Sequence, residues 1–207
     1  MWHSLIIGPV DLISSADRFT KKQAAAVRAN ILAAYPNVPA LGCPFDGLNT
    51  TYDQPSQYKR MAAIFTDTTY TEAWEEYLTW FSKTQPTWGL QWETPIPGPG
   101  IDFAYGVTHA SDLAYYFPDL LEEANDPRRS GQAHLVDQLQ CALVNFVTDL
   151  DPNGDRTSSE TDTYHWPSFG EGGKVTSFTV ELGAHEVLPP NRRGLEVIRK
   201  WFRPYDF

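Results

Sequence analysis

Apolar side chains in this chain recur mostly at intervals of three and four residues, the signature of amphipathic helices packed on one face. Ala24, Val27, Ile31 and Ala34 predict a helix from about residue 21 to 35. Thr20 stands three residues before Gln23, the spacing of a capping box, and Tyr35-Pro36 stops the helix. Beyond Pro55, Tyr58, Met61, Ala62 and Phe65 line one face of a short helix, and Tyr70, Trp74, Tyr77, Leu78 and Phe81 line one face of the next. Leu135, Leu139, Leu143 and Phe146 predict a helix from about 132 to 148. Leu195 to Phe202 reads as a closing helix with Val197, Ile198 and Trp201 turned inward.

Three segments read as strands. Trp88, Leu90 and Trp92 alternate with Gly89, Gln91 and Glu93, which is a strand rich in aromatics, and Val175 to Val180 predicts a second. Leu5-Ile6-Ile7, ended by Gly8-Pro9, reads as the tail of a buried strand. Residues 36 to 55 carry Pro36, Pro39, Gly42, Pro44, Gly47 and Pro55 and predict a long surface connection. The run from Pro95 to Gly100 breaks regular structure and delivers the chain to Gly106-Val107-Thr108-His109. Helices interleaved with isolated strands, without internal repeats, point to part of an α/β sheet protein rather than a helical bundle.

Composition narrows the classes. The 207 residues are 42% hydrophobic and 14% aromatic, enough to bury a core. Sixteen Lys and Arg against 26 Asp and Glu leave a net charge of −10, which argues against nucleic acid or an anionic membrane as partner. No stretch approaches the roughly 18 continuous apolar residues of a membrane span. The first residues lack the basic and apolar regions of a secretory signal, so the sequence assigns no localisation. Cys43 and Cys141 fit neither a disulfide-dense scaffold nor a zinc site and read as small buried apolar residues, with a bridge between them left open by spacing alone.

The strongest chemical signal is Gly106-Val107-Thr108-His109-Ala110-Ser111-Asp112-Leu113. Irregular backbone just after an aromatic strand can present His109 to a pocket, as a general base requires. Asp112, three residues on, is placed to cap the following turn through its carboxylate.

The block from Gly106 to Phe117 resembles the Gly-x-x-His-Gly-Ser-Glu-Leu-x-Tyr-x-Phe block of type-B carboxylesterases and cholinesterase-like lipases, members of the α/β-hydrolase fold. Asn145-Phe146, Asp151-Pro152-Asn153 and Trp166-Pro167 are similar to that family's later segments and follow in the same order. Ala34-Tyr35-Pro36, Phe65-Thr66-Asp67 and the strand from Trp88 to Trp92 also sit where the family has comparable elements, so the resemblance runs from about residue 19 to 205. It implies hydrolysis of a carboxylic ester through an acyl-serine intermediate, His109 as the catalytic base, and no cofactor.

Departures from the family pattern bear on mechanism. Ala110 replaces a Gly and Asp112 a Glu, changes that keep small size and charge. No Gly-x-Ser-x-Gly nucleophile elbow occurs in the 207 residues, and no Gly-Gly oxyanion-loop segment precedes the His109 block. Asp11 is a displaced candidate for the acid that would orient His109. The expectation is a single C-terminal part of a carboxylesterase-type α/β-hydrolase domain over residues 1–207, with a partial sheet and its covering helices, inactive alone and prone to self-association. Small-molecule or lipid esters would be its substrates once the full domain exists. A non-catalytic hydrolase-like remnant, acting as an interaction protein, is the alternative.

Asp149 to Glu160 offers a different chemistry. Oxygen-bearing residues at loop positions 1, 3 and 5, Gly154 at 6 and Glu160 at 12 match a calcium-binding EF-hand loop, though the residues beyond Glu160 do not read as an exiting helix. A polar Asp-Pro-Asn-Gly turn is the simpler reading. His3, His134, His165 and His185 lie apart and form no metal-binding spacing. Trp74, Trp80, Trp88 and Trp92 could line an apolar acyl pocket but at their spacings fit a core, and Asp119, Glu122, Glu123 and Asp126 read as a solvated acidic face.

Overall fold

The computed structural model describes residues 20–43, 45, 47–100, 103–154, 164–180, 182–187 and 193–202. The predicted strand Leu5–Ile7, the candidate acid Asp11, His3, and the residues from Asp155 to Glu160 lie outside the described residues. Contacts divide the chain into two units, one formed by Met1–Glu76 with Pro190–Phe207 and the other by Tyr77–Pro189.

The first unit is helical. Its helix α1 (Lys21–Ala34) begins at the predicted capping box: the Thr20 hydroxyl accepts from the Gln23 amide and the Gln23 side chain accepts from the Thr20 amide. Helix α2 (Tyr58–Thr66) passes through a π-helical turn at Asp67–Thr71 into helix α3 (Glu72–Phe81). The Thr68 hydroxyl donates back to the Ile64 carbonyl where the helix widens. Helix α6 (Arg193–Phe202) packs on α1. Val27 and Ile31, Ala63 and Ile64, and Ile198 form the core with Tyr35, whose hydroxyl donates to the wholly buried Asp67 at 2.9 Å. Gly194 is required at its place in α6, because a Cβ there would lie 2.2 Å from the Tyr35 ring.

The second unit is built on a mixed three-stranded sheet. Strand β1 (Leu90–Trp92) runs parallel to β2 (Val175–Thr179), which pairs antiparallel with β3 (Gly183–Val187). The register sets Leu90 beside Thr176, and Trp92 beside Phe178 with Ala184 beyond it, so Val175 and Val187 lie on one face while Leu90, Trp92, Phe178 and Ala184 share the other. That face meets Leu135, Val136 and Leu139 of helix α5 (Ala133–Asp149), together with Tyr115 and Trp166. The Trp92 and Phe178 rings stack at 5.7 Å, and Trp166 meets Phe178 edge-on at the same separation. Among the described residues no helix is long and apolar enough to cross a membrane.

Several local readings need correction. Phe65 and Tyr77 do not face inward; they are 49% and 61% exposed, while Lys59 is buried on α2. The two predicted helices there run on through the π turn without a break. Strand β3 was not foreseen, because Gly183-Ala184-His185-Glu186-Val187 has one β-branched residue and no clear alternation; its pairing with β2 and the Lys174–Glu186 ion pair hold it. Nor is the acidic group from Asp119 to Asp126 simply solvated. Asp126 is buried, and both its oxygens take the Arg128 guanidinium, which also reaches Asp119.

Candidate functional site

His109 lies on an irregular loop between a 3-10 turn at Phe103–Tyr105 and the short helix α4 (Leu113–Tyr116), and its side chain is exposed. Neighbouring side chains fix the loop. The buried Ser111 hydroxyl donates to the Thr108 carbonyl at 2.7 Å, and the Thr108 and Ser111 hydroxyl oxygens are 3.0 Å apart. The Ser111 amide donates to the same carbonyl at 3.1 Å, closing a tight turn with His109 and Ala110 at its two central positions.

That turn has a backbone requirement the sequence conceals. Ala110 adopts φ 67°, in the left-handed region where a Cβ crowds the following carbonyl. The substitution of alanine for the family's glycine therefore conserves size but adds backbone strain. Asp112 also differs from expectation. It has helical angles, φ −63° and ψ −28°, and its side chain makes no capping bond; the Ala114 and Tyr115 amides, which such a cap would serve, donate to the Ser111 and Asp112 carbonyls instead. An N-cap carboxylate works from an extended residue, which Asp112 is not.

Tyr115 and Tyr116 tie the loop to the unit behind it. Tyr115 is wholly buried; its hydroxyl donates to the Pro95 carbonyl at 2.8 Å and lies 2.5 Å from Gln132 Oε1, and its ring centre is 4.5 Å from that of Trp92. Burial pushes the Tyr115 phenol well above its ordinary value. Burial, and secondarily the Asp112 carboxylate, push Tyr116 up to about 12. Both phenols stay protonated across the physiological range, and that of Tyr115 serves as a donor.

An open cleft of about 300 Å³ lies in the same unit, lined chiefly by Phe81, Trp88, Tyr116, Leu143, Phe146 and Trp166. Of the tryptophans considered as pocket walls, Trp88 lines this cleft and meets Phe146 edge-on at 6.0 Å; Trp92 belongs to the core, and Trp74 and Trp80 line neither. His109 is not among the cleft-lining residues.

The segment after α5 is organised as a structural turn. Leu150 takes the left-handed conformation that ends the helix. Asn153 Oδ1 accepts from the Trp166 amide at 2.6 Å and Asn153 Nδ2 donates to the Trp166 carbonyl at 2.8 Å, so the side chain mimics a strand partner. Asp151 Oδ1 accepts from the Asn153 amide at 2.8 Å, and Asn145 Nδ2 donates to the Pro152 carbonyl at 3.2 Å. An oxygen that calcium would need at the fifth loop position is thus committed to backbone. Among the described residues no three His, Cys, Asp or Glu side chains are grouped to hold a metal. His134 and His165 are exposed, and His185 Nδ1 lies 3.2 Å from the Gly183 carbonyl. Cys43 and Cys141 are half-buried thiols, Cys43 against the first unit's core.

The sequence profile of the carboxylesterase family matches residues 14–190. Secreted lipase 1 of Botryotinia fuckeliana is 26% identical over 175 residues, a span that covers 81% of this chain and 27% of that protein. The chain therefore spans about a quarter of the length of the curated relative it matches. It belongs to the carboxylesterase family, and the α/β-hydrolase fold that membership implies accords with helices laid on a small mixed sheet.

Proposed function

We propose, from this membership, that the chain supplies the proton-handling part of a carboxylic ester hydrolase site, with His109 as the base. The observation that carries the reading is an exposed imidazole at the centre of a turn locked on both sides, by Thr108 and by Ser111. In the proposed reaction the imidazole takes the proton of a serine hydroxyl as that oxygen attacks the ester carbonyl, then passes it to the departing alkoxide. A water molecule, deprotonated by the same group, releases the acyl chain from the serine. The serine comes from outside these residues, which contain no Gly-x-Ser-x-Gly. Small-molecule or lipid esters are the substrate class, and no cofactor takes part.

The test is His109→Ala in the full-length protein, assayed on a short-chain aryl ester. The expected fall in kcat/KM is about 10²–10⁴-fold, and undiminished turnover defeats the assignment. Asp11→Asn in the same assay tests Asp11 as orienting acid. A second reading is a hydrolase-like protein that binds without turnover. Ester turnover by the folded full-length wild type excludes it, and its absence supports it.

A further inference from the structure

We propose that Asn49 is an acceptor for an N-linked oligosaccharide. Asn49-Thr50-Thr51 has the acceptor pattern of asparagine, a residue other than proline, and threonine. It is the one such triplet in the 207 residues: the residues two beyond Asn30, Asn37, Asn125, Asn145, Asn153 and Asn191 are Leu, Pro, Pro, Val, Asp and Arg.

The folded chain must also accommodate an oligosaccharide on that amide, and here it can. Asn49 is exposed on a bend of the long connection between α1 and α2, and its side chain has no hydrogen bond among the described residues. Leu48 and Phe45 beside it are 52% and 45% exposed, and a Cβ at Gly47 would meet nothing within 4 Å, so the surroundings leave room for a bulky group. The anchor points lie on either side of the triplet's amide. The Leu48 carbonyl accepts from the buried Lys59 ammonium at 3.2 Å, and Thr50 Oγ1 accepts from the Tyr52 amide at 3.1 Å. Tyr52 and Asp53 then turn the chain away through φ 53° and 60°. The asparagine is therefore held outward by its neighbours while it contributes nothing to the fold.

The donor is a polyprenyl-diphosphate-linked oligosaccharide. A bond forms between Asn49 Nδ2 and the anomeric carbon of the reducing-end sugar, the bond from that carbon to the diphosphate oxygen breaks, the diphosphate leaves with the electron pair, and the amide loses one proton. The modification adds a solvated mass to a loop rich in exposed apolar residues, which would mask Leu48 and Phe45 from other proteins.

The experiment reads residue 49 in the full-length protein purified from its source, by peptide mass spectrometry after enzymatic deglycosylation, which converts an occupied asparagine to aspartate. Conversion at Asn49 is expected; a peptide carrying only unmodified asparagine overturns the proposal. Production through a eukaryotic secretory pathway supplies the second arm. The mobility shift on deglycosylation should shrink by one oligosaccharide in Asn49→Gln and Thr51→Ala and stay whole in Thr51→Ser, whereas an undiminished shift in Asn49→Gln overturns it. Because the transfer precedes folding, the intracellular pool is scored as well as the secreted one, so a variant that folds poorly still reports.

Discussion

The Ser111 hydroxyl donates to the Thr108 carbonyl at 2.7 Å while the Thr108 hydroxyl oxygen stands 3.0 Å away, so two short side chains clasp the backbone on either side of His109. Such a clasp fixes the backbone that carries the exposed imidazole. A base that must meet a proton within about 3 Å gains from that rigidity, since small misplacements are expensive in rate.

Ser111→Ala should therefore loosen the loop more than it unfolds the protein. Loss of one net hydrogen bond costs about 0.5–1.5 kcal/mol. Amide exchange at residues 108–112 should quicken, and in the full-length hydrolase kcat should fall with KM little changed. A drop in KM-dependent binding with unchanged exchange would contradict the positioning role.

Ala110→Gly should stabilise the protein, the reverse of the usual effect of adding glycine. A left-handed alanine costs roughly 1–2 kcal/mol, and glycine returns about 0.5–1 kcal/mol of that as unfolded-state entropy. The net expectation is a gain of about 0.5–1 kcal/mol, visible as a raised denaturation midpoint in urea with unchanged slope. An unchanged or lower midpoint would show that φ 67° is not strained here.

Tyr115→Phe keeps the ring against Trp92 and deletes the hydroxyl that serves Pro95 and Gln132. A buried carbonyl left without its donor costs about 1–3 kcal/mol. Since Tyr115 joins the end of the His109 loop to the segment after β1, thermal unfolding should show the loss, and ester turnover should fall with it. Full stability in this variant would mean that another donor replaces the phenol.

The helices were legible because their signals are local. Thr20 and Gln23 announce α1, and the spacing of Leu135 and Leu139 announces the buried face of α5. The position of His109 on a loop was legible from the glycines and prolines before it. What the sequence hid depends on partners far along the chain. Strand β3 exists because β2 pairs with it, and the polar turn that the sequence does show at Asp151–Gly154 is fastened by Trp166, which lies across from Asn153. Ala110 hid its left-handed backbone for a different reason: glycine advertises that conformation, and alanine does not.

Asp126 and Arg128 should shape the response of the protein to acid. Two-point hydrogen bonding from the Arg128 side chain holds the Asp126 carboxyl below the ordinary carboxylate range, burial opposes this, and the Arg128 amide adds to it. A carboxyl depressed in the native state favours folding at every pH above its unfolded value near 4, and that contribution disappears as pH falls through the lower native value. Asp126→Asn keeps an oxygen for the Arg128 amide but removes the charge. Between about pH 5 and pH 2 the urea midpoint of the wild type should thus fall more steeply than that of the variant, the two curves converging in acid. Parallel curves would place the acid sensitivity in other carboxylates.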